Sequence, residues 1–472
     1  MRRPGWLLSL TQHGEKPPYL LKCRSSEGFI IGTVALAVFT DMFLYGVIVP
    51  VVPFALEERS HVEHDRVQYW VSVLVAVYGA ALLVFSPICG WLADNSSSRR
   101  SPLLLGLLAL LGATIMLNVG NQIGIWIVAR ILQGASAAVV WVVGLALLAD
   151  TIPQEQLGQA MGYVSLGMSL GILIAPLLGG VVFEHGGYDA VFGMAYALVG
   201  VDIILRLLLV EKKVAARWDP SMAGQKAVEN ISPSTETSTN PESSASPIAP
   251  YTRRRDRLPP IFSLLCSRRL LAALFGSLIQ AAILTSFDSV LTIHAAEVFN
   301  FRSTAAALLF LALVIPTFFA PLGGLLSDKY GGRYFAAGGF LLSCPPFICL
   351  RFIQENSVSD KVLLCALLAL IGFFLSFTFP PFMAEISRVV EAKEKSIQAN
   401  GRPGFGPGGA YAQAYALFNV AFAGGCMVGP LLAGFIVQER GWSTMTWVMG
   451  LLDGVTAIPS FLYLGGWVFG KP

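Results

Sequence analysis

Charged side chains are scarce in this chain of 472 residues: Asp, Glu, Lys and Arg make up 13% of it, whereas 55% is hydrophobic. Soluble domains carry roughly 25% charged residues, so the chain has about half the charge needed to cover a water-facing surface. A soluble protein with buried helices would also need amphipathic faces. The composition therefore excludes a water-soluble globular protein and indicates a membrane protein.

Cysteine and histidine are also few. The seven cysteines are an odd number, and most of them lie inside apolar runs, which suits small packing residues better than a disulfide framework. His61 and His64 have i, i+3 spacing without cysteine or further histidine nearby, so we predict no metal site and no cofactor. The early stretch GWLLSL is too short for a cleavable signal peptide. We expect the first apolar run to act as the targeting signal.

Long apolar runs dominate what is present. A helix needs about 20 apolar residues to cross a bilayer, and backbone polar groups cannot remain unpaired in lipid. Each run is therefore predicted to be a helix, and the protein to be an all-α, polytopic membrane protein with twelve transmembrane spans. The predicted spans are 29–51, 70–92, 102–121, 124–149, 158–183, 190–210, 271–294, 304–326, 335–353, 361–384, 412–437 and 445–467.

Basic residues are distributed unevenly between the loops. With an even number of spans, the basic segments all fall on the side that holds both termini, and the positive-inside rule makes that side cytoplasmic. Loops on the opposite side, such as 57–69, are mixed or acidic. The basic residues are Arg2, Arg3, Lys16, Lys22, Arg24, Arg99, Arg100, Lys212, Lys213, Arg253, Arg254, Arg255, Arg257, Arg268 and Arg269.

A polar segment divides the chain into two sets of six spans. Its stretch NISPSTETSTNPESSASPIAP is rich in Ser, Thr and Pro and has almost nothing to bury, which is typical of a disordered linker. The predicted organisation is an N-terminal cytoplasmic segment, a six-helix half, a cytoplasmic linker, a second six-helix half and a C-terminal tail. Their ranges are 1–28, 29–210, 211–260, 261–467 and 468–472.

The two halves resemble each other at matched places. GWLADNSSSRR (90–100) follows span two and GGLLSDKYGGR (323–333) follows span eight, while APLLGGVVF (175–183) closes span five and GPLLAGFIV (429–437) closes span eleven. Asp202 and Asp453 lie in the last span of each half. A duplicated six-span half is the architecture of alternating-access transporters, whose substrate site lies at the interface of the halves.

These features resemble the major facilitator superfamily over all twelve spans. In that family the loop after span two reads roughly G-x-L-A-D-x-x-G-R-K, and the resemblance implies a charged clamp between helices that breaks and reforms as the halves rock; ordinary interface charges are the alternative. The first copy supplies Gly90, Leu92, Ala93, Asp94, Arg99 and Arg100, with Ser97 where Gly is expected. The second copy supplies Gly324, Leu326, Asp328, Gly331 and Arg333.

Span five carries a set of small residues that resembles the antiporter motif of proton-coupled exporters in this superfamily. Ala replaces Gly at one position of the motif. Small residues at such intervals let helices approach closely, and plain helix packing is the alternative reading. The residues are Gly162, Gly171, Ala175, Pro176, Gly179 and Gly180.

Span four contains Arg130, with Gln133 on the same helix face. The family places an Arg followed by Gln and Gly here and associates it with proton coupling. A guanidinium keeps its proton, so it would act by stabilising the ionised form of a nearby carboxylate. An Arg that extends to the membrane surface is the alternative.

Span one contains Asp41 in AVFTDMFLYGVIVPVVPF, and an Asp at a bilayer centre costs roughly 2.5–3.5 kcal/mol. The segment resembles span one of the vesicular monoamine transporters and related drug:proton antiporters, in which an acidic residue faces the central cavity. Asp288 in span seven matches a second acidic position of that family. The resemblance implies that these two carboxylates bind the proton and the substrate, with Asp288 nearer the outer end and better hydrated.

Two other family carboxylates are absent, since Asn419 and Ser376 occupy their positions in spans eleven and ten. With Phe373, Phe374, Phe377 and Phe379 clustered in span ten, we expect a cavity suited to a bulky, largely apolar molecule, although about half of such phenylalanines could face lipid instead.

The sequence thus favours a proton-coupled exporter of small organic molecules, of the fungal drug or secondary-metabolite efflux type. The alternatives are a proton-coupled organelle carrier or importer and a membrane-embedded enzyme, which would need a catalytic constellation. The expected partners are a small-molecule substrate, protons and the lipid bilayer, with no nucleic acid, and the expected state is a monomer. The plasma membrane is the predicted location, with a vacuolar or vesicular membrane as the alternative.

Overall fold

A computed structural model of the chain describes residues 18–48, 56, 59, 63–96, 98–218, 260–301, 303–399, 405 and 410–468. Every regular element in these ranges is a helix, which confirms the all-α prediction. Residues 1–17, 219–259 and 469–472 lie outside the described residues, and with them most of the predicted N-terminal segment, linker and tail. His61 lies outside them as well.

The first half contains four separate long helices and one longer helical segment that comprises two spans. This segment, Leu157–Leu208, is interrupted at Gly187, whose φ of 72° is a conformation that glycine adopts without steric cost. Spans five and six are therefore 157–186 and 188–208. Spans one to four are Glu27–Ile48, His64–Asp94, Arg100–Val119 and Ile123–Thr151.

The second half repeats this arrangement with two interrupted spans. Span eight consists of Ser303–Val314, the 3-10 segment Ile315–Phe319 and Ala320–Tyr330. Span ten consists of Val358–Ser376 and Phe379–Ala399, where two prolines sit in the first turn and their missing N–H groups need no partner. Spans seven, nine, eleven and twelve are Arg268–Phe299, Gly332–Cys349, Tyr411–Arg440 and Trp442–Tyr463.

Eleven helices among the described residues are long and apolar enough to cross a membrane, and the longest of them supplies spans five and six. The predicted twelve spans are therefore present. Within the first half, span one packs most extensively on span five, and in the second half span seven packs on span eleven. The halves meet chiefly where span two lies against span eleven and span five lies against span eight.

The beginning of the predicted linker differs from a disordered segment. Glu211 is buried and accepts hydrogen bonds from the Ser98 hydroxyl at 2.7 Å and the Arg100 backbone N–H at 2.8 Å. Lys212 forms an ion pair with Glu27 at 2.6 Å. Composition alone missed these contacts because the three partners, in span one and at the start of span three, are distant in sequence. The folded half thus extends past its predicted boundary at residue 210.

Candidate functional site

Asp94, at the end of span two, caps a helix of the opposite half. Its two carboxylate oxygens accept hydrogen bonds from the backbone N–H groups of Ala412 at 3.1 Å and Gln413 at 2.9 Å, in the first turn of span eleven. Arg99 donates to Asp94 at 3.0 Å and to Asp150 at 3.1 Å. The first turn of a helix presents N–H groups without intrahelical partners and a partial positive charge, so a carboxylate stabilises it.

Asp328, at the end of span eight, makes the equivalent contact in the reverse direction. Its oxygens accept hydrogen bonds from the N–H groups of Gly158 at 3.1 Å and Gln159 at 2.9 Å, in the first turn of span five. Arg388 of span ten completes the site with an ion pair of 2.8 Å. Each half therefore caps a helix of the other half. We call the end of the bundle that holds Asp94 and Asp328 the motif end.

The arginine that neutralises Asp328 is not the one expected. Arg333 instead donates to the backbone carbonyls of Leu464 and Gly466 after span twelve. Arg100 does the same in the first half, where it donates to the carbonyls of Arg206 and Leu207 at the end of span six. These two arginines are thus equivalent to each other, and each ties its loop to the last span of its own half. The motif spacing did not reveal this division of roles.

Glycines allow close contact between the halves at the motif end. A Cβ atom on Gly90 would lie 2.8 Å from the Ala416 Cβ and 2.9 Å from the Ala412 carbonyl, and one on Gly324 would collide with the Gly158 carbonyl. Such distances are shorter than van der Waals contact, so a side chain could be accommodated only by moving the helices apart. The two halves are therefore in direct contact at the motif end, and the interface is closed there.

The predicted antiporter motif contains three glycines that serve close contacts. A Cβ on Gly162 would lie 2.5 Å from the Pro321 Cα in span eight, and Cβ atoms on Gly171 and Gly179 would lie 2.7 Å and 2.9 Å from side-chain atoms of span one. Ala175 is buried, whereas Gly180 has no atom within 4 Å of its Cβ position. The Pro176 side chain lies outside the described residues. Span five is thus fitted both to span one and to the opposite half.

Asp41 lies near the middle of the bundle and is fully buried, with an exposed fraction of 0%. The indole Nε1–H of Trp141 in span four donates to its Oδ2 atom at 3.2 Å. Its Oδ1 atom has no hydrogen-bond partner among the described residues. A buried carboxyl group that is only half satisfied is costly, so Asp41 destabilises this conformation unless it is protonated or paired elsewhere in the transport cycle.

Two tyrosines connect the surroundings of Asp41 to a buried arginine, Arg130. Arg130 is buried and donates to the Gln133 side chain at 2.9 Å. The rings of Tyr45 and Tyr78 are 4.8 Å apart, and Tyr78 lies within electrostatic range of both Asp41 and Arg130. Arg130 therefore belongs to the central cluster and does not extend to the membrane surface.

Asp288 has different surroundings. Its side chain is exposed, and it lies within electrostatic range of Tyr45 in the opposite half and of Cys426 in span eleven. It therefore faces the space between the halves. Asp288 comes twenty residues after the first residue of its helix of 32 residues, and its better hydration stays a prediction.

Asn419 and Ser376 do not line an open cavity in this conformation. The Asn419 amide donates to the Ser86 hydroxyl at 2.7 Å, which links span eleven to span two across the interface. The Ser376 hydroxyl donates to the Phe373 carbonyl one turn earlier. Both residues are buried. Their polar groups are used by helix contacts in this conformation, and their place in the substrate and proton site stays a prediction.

The predicted aromatic cluster is divided between two places. Phe373 contacts Phe319, Phe374 and Phe377, which lie toward span eight. Phe379 lies instead beside span eleven, where its ring is 5.5 Å from those of Phe418 and Phe422.

Sequence reasoning missed Trp141 and Phe422, whose rings are 6.2 Å apart and nearly parallel, with 24° between their planes. A signal for Trp141 existed, because it follows Arg130 by eleven residues, about three helical turns, and so lies on the same face of span four. No comparable signal pointed to Phe422.

Two similar six-helix halves, capping each other at one end and holding buried charge at the centre, define a polytopic transporter of the alternating-access class. Residues 34–397 and 302–468 match the family model of the Major Facilitator Superfamily. An uncharacterized MFS-type transporter of Schizosaccharomyces pombe is 35% identical over 439 residues, covering 92% of this chain and 94% of that protein. The chain belongs to the Major Facilitator Superfamily and is a membrane transporter.

More distant similarities agree with this placement. The vesicular acetylcholine transporter of Drosophila melanogaster is 24% identical over 451 residues, covering 89% of this chain and 68% of that protein. The crystal structure of the human organic anion transporter MFSD10 (TETRAN) matches with a TM-score of 0.66 and 15% identity, covering 92% of this chain and 99% of that one. The second similarity supports the fold alone.

Proposed function

We propose that the protein is a proton-coupled exporter of small, largely apolar organic molecules that works by alternating access. The observation that carries this proposal is Asp41, a fully buried carboxyl group with one neutral hydrogen-bond donor and no ion-pair partner among the described residues. A carboxyl group in such a place favours the protonated form while it is buried and releases the proton when the site becomes hydrated. Alternation between the two conditions couples proton movement to rocking of the halves.

The capped motif end supplies the conformational part of the mechanism. The conformation described here is closed at the motif end, and Asp288 faces an accessible space between the halves. Opening of the motif end must break the hydrogen bonds from the N–H groups of span five to Asp328 and from those of span eleven to Asp94. The Asn419–Ser86 hydrogen bond must break as well. These contacts are the ones that alternate during transport.

The aromatic surfaces at the interface support an apolar substrate. Trp141, Phe379, Phe418 and Phe422 form a contiguous group beside Asp41. Aromatic and aliphatic linings with a few polar groups are typical of sites for small organic ligands. We propose that the substrate binds between this aromatic group and Asp288. We also propose that the transporter works as a monomer.

Transport into an organelle is the second candidate, and the similarity to the vesicular acetylcholine transporter favours it.

For the leading candidate, the exporter, we propose a plasma-membrane location with cytoplasmic termini, which places the motif end in the cytoplasm. A protease added to intact cells should then spare tags at both ends of the chain. Cleavage of either tag from outside would reverse the topology.

Sealed vesicles of known orientation test the direction of transport. Cells with and without the gene are first screened for differences in the accumulation of fluorescent and radiolabelled compounds. The compounds that differ are then offered to purified protein in liposomes with an imposed pH gradient. An exporter accumulates the compound on the acidic side, and collapse of the gradient stops it. Accumulation on the alkaline side would show proton symport, and accumulation unaffected by the gradient would remove the coupling.

A further inference from the structure

Trp141 contacts both the buried carboxyl group and the opposite half of the protein. Its indole N–H donates to Asp41 in span one, and its ring faces that of Phe422 in span eleven. The side chain is 2% exposed, so it has little freedom to move independently of either neighbour. Among the described residues, Trp141 is the hydrogen-bond donor to Asp41, and its ring is stacked on a ring of the second half.

We propose that Trp141 is a positioning residue that links the protonation state of Asp41 to the contact between the two halves. The inference rests on the proposed proton coupling and adds the route by which it reaches the interface. Asp41 is the titrating group, and Trp141 neither gains nor loses a proton.

The physical basis is the difference between two hydrogen bonds. An N–H donating to a carboxylate makes a charge-assisted bond, which is roughly twice as strong as one to a neutral acceptor. Protonation of Asp41 therefore weakens the restraint on the indole ring. Because the ring packs on Phe422, a shift of the indole changes the packing of span eleven against span four.

Span eleven is well placed to respond. Its first turn is capped by Asp94, and Asn419 joins it to span two. Phe422 also contacts Phe379 of span ten. A change at Phe422 thus acts on the helix whose other end closes the motif end.

Other titratable groups near Asp41 must be considered. Tyr45 lies on its own helix, and Tyr78 of span two lies within electrostatic range of it. Asp202 and Arg206 of span six also act on it but are paired with each other at 2.7 Å. Each of them is left intact in the variants below, so they cannot account for differences between those variants.

The first test is an infrared pH titration of the purified protein in liposomes. Only the pH is varied, and no substrate is added. The carboxyl band of Asp41 is identified by its loss in Asp41→Asn. Trp141→Phe keeps the ring but removes the N–H, so the midpoint of this band should move to higher pH by about one unit, a tenfold change in proton dissociation. Trp126→Phe is the matched control, because Trp126 is buried in the same span and donates to the Gly120 carbonyl at 2.9 Å.

The second test measures the motif end. Spin labels at Glu155 and Lys329, which are exposed and lie in opposite halves, report the distance between the halves as the pH is changed. Phe422→Leu keeps the indole N–H donor, so it should move the Asp41 midpoint less than Trp141→Phe does, but it should reduce the pH-dependent change in distance at least threefold. Trp126→Phe should match the parent protein in both measurements.

The outcomes separate this inference from the proposed function. If Asp41→Asn removes the pH response while Trp141→Phe and Phe422→Leu behave like Trp126→Phe, the role of Trp141 is wrong and the coupling role of Asp41 stands. If the Asp41→Asn variant keeps the full pH response of the distance, the proposed coupling itself fails. A midpoint shift in Trp141→Phe together with a reduced response in Phe422→Leu supports the route described here.

Discussion

The two halves are alike at the motif end and different at the centre. Asp94 and Asp328 each cap a helix of the other half through two backbone N–H groups. In the membrane centre, Asp41 is buried in the first half, whereas its counterpart Asp288 is exposed. The two halves thus share the same capping contacts at the motif end but differ at the carboxyl groups of spans one and seven. Under the proposed function, both halves would control the motif end, and the first half would supply the coupling carboxyl group.

The last spans of the two halves also differ, although both hold a buried aspartate. Asp202 pairs with Arg206 through two contacts of 3.0 Å and 2.7 Å, and both groups are buried. Asp453 occupies the equivalent place in span twelve, and its hydrogen-bond donor is the Ser343 hydroxyl at 2.5 Å. One half stabilises a buried ion pair where the other holds a single carboxyl group.

The largest expected effect comes from breaking that ion pair. Asp202→Asn leaves the Arg206 guanidinium buried without a counter-charge, which should destabilise the protein by about 3–5 kcal/mol. Asp453 has no ion pair among the described residues, so Asp453→Asn leaves no cation unpaired and should lower the stability far less. Thermal unfolding of the two purified variants in the same detergent measures the difference. Equal losses of stability would show that Asp453 has a charged partner in solution.

The next largest effect concerns helix contact at the motif end. Gly324→Ala forces a methyl group into the Gly158 carbonyl, and such overpacking costs typically 1–3 kcal/mol. This cost applies only while the motif end is closed, so the variant should populate the open form. Gly180→Ala is the control, since nothing lies within 4 Å of the added atom. Spin-label distances across the motif end should lengthen in the first variant and stay unchanged in the second.

The caps should have equal and smaller effects. Asp94→Ala and Asp328→Ala each remove a helix cap, which is worth about 0.5–2 kcal/mol. Both variants should transport more slowly but bind substrate with nearly unchanged affinity, because neither residue lies at the centre. Transport rates and equilibrium binding measured side by side check this. Normal rates in both variants would make these loops purely structural.

Asp288→Asn should have the smallest effect on coupling. Its carboxyl group is exposed, so its ionisation changes less between the two conformations than that of Asp41. Transport should be reduced but should retain its dependence on the pH gradient. If the Asp288→Asn variant lost that dependence as completely as Asp41→Asn does, the second half would share the coupling role.

Composition and the length of the apolar runs were sufficient to predict the fold. In lipid, each long apolar run must satisfy its own backbone hydrogen bonds, and a helix does so. The motif spacing drew attention to Asp94 and Asp328, whose contacts cross between the halves, while their role in transport stays a prediction. It failed for Arg388, which comes from a different span, and for the partner of Asp41. Those contacts depend on how helices that are distant in sequence face each other. The sequence alone does not specify the distances between such helices.

Asn419 shows a second kind of limit. Its place in the family pattern suggested a cavity position, but the structure uses its amide to join spans two and eleven. A residue of an alternating interface has different neighbours in each conformation, so its sequence position alone defines no single environment.

Proton movement driven by substrate tests the central claim most directly. Purified protein is sealed in liposomes that contain a pH-sensitive dye, and a compound identified by the screen is added outside at a fixed concentration. We predict that the compound changes the internal pH with the parent protein and that Asp41→Asn abolishes this change, while exchange of bound compound at equal pH continues. Substrate-driven proton movement at the parent rate in Asp41→Asn would contradict the account.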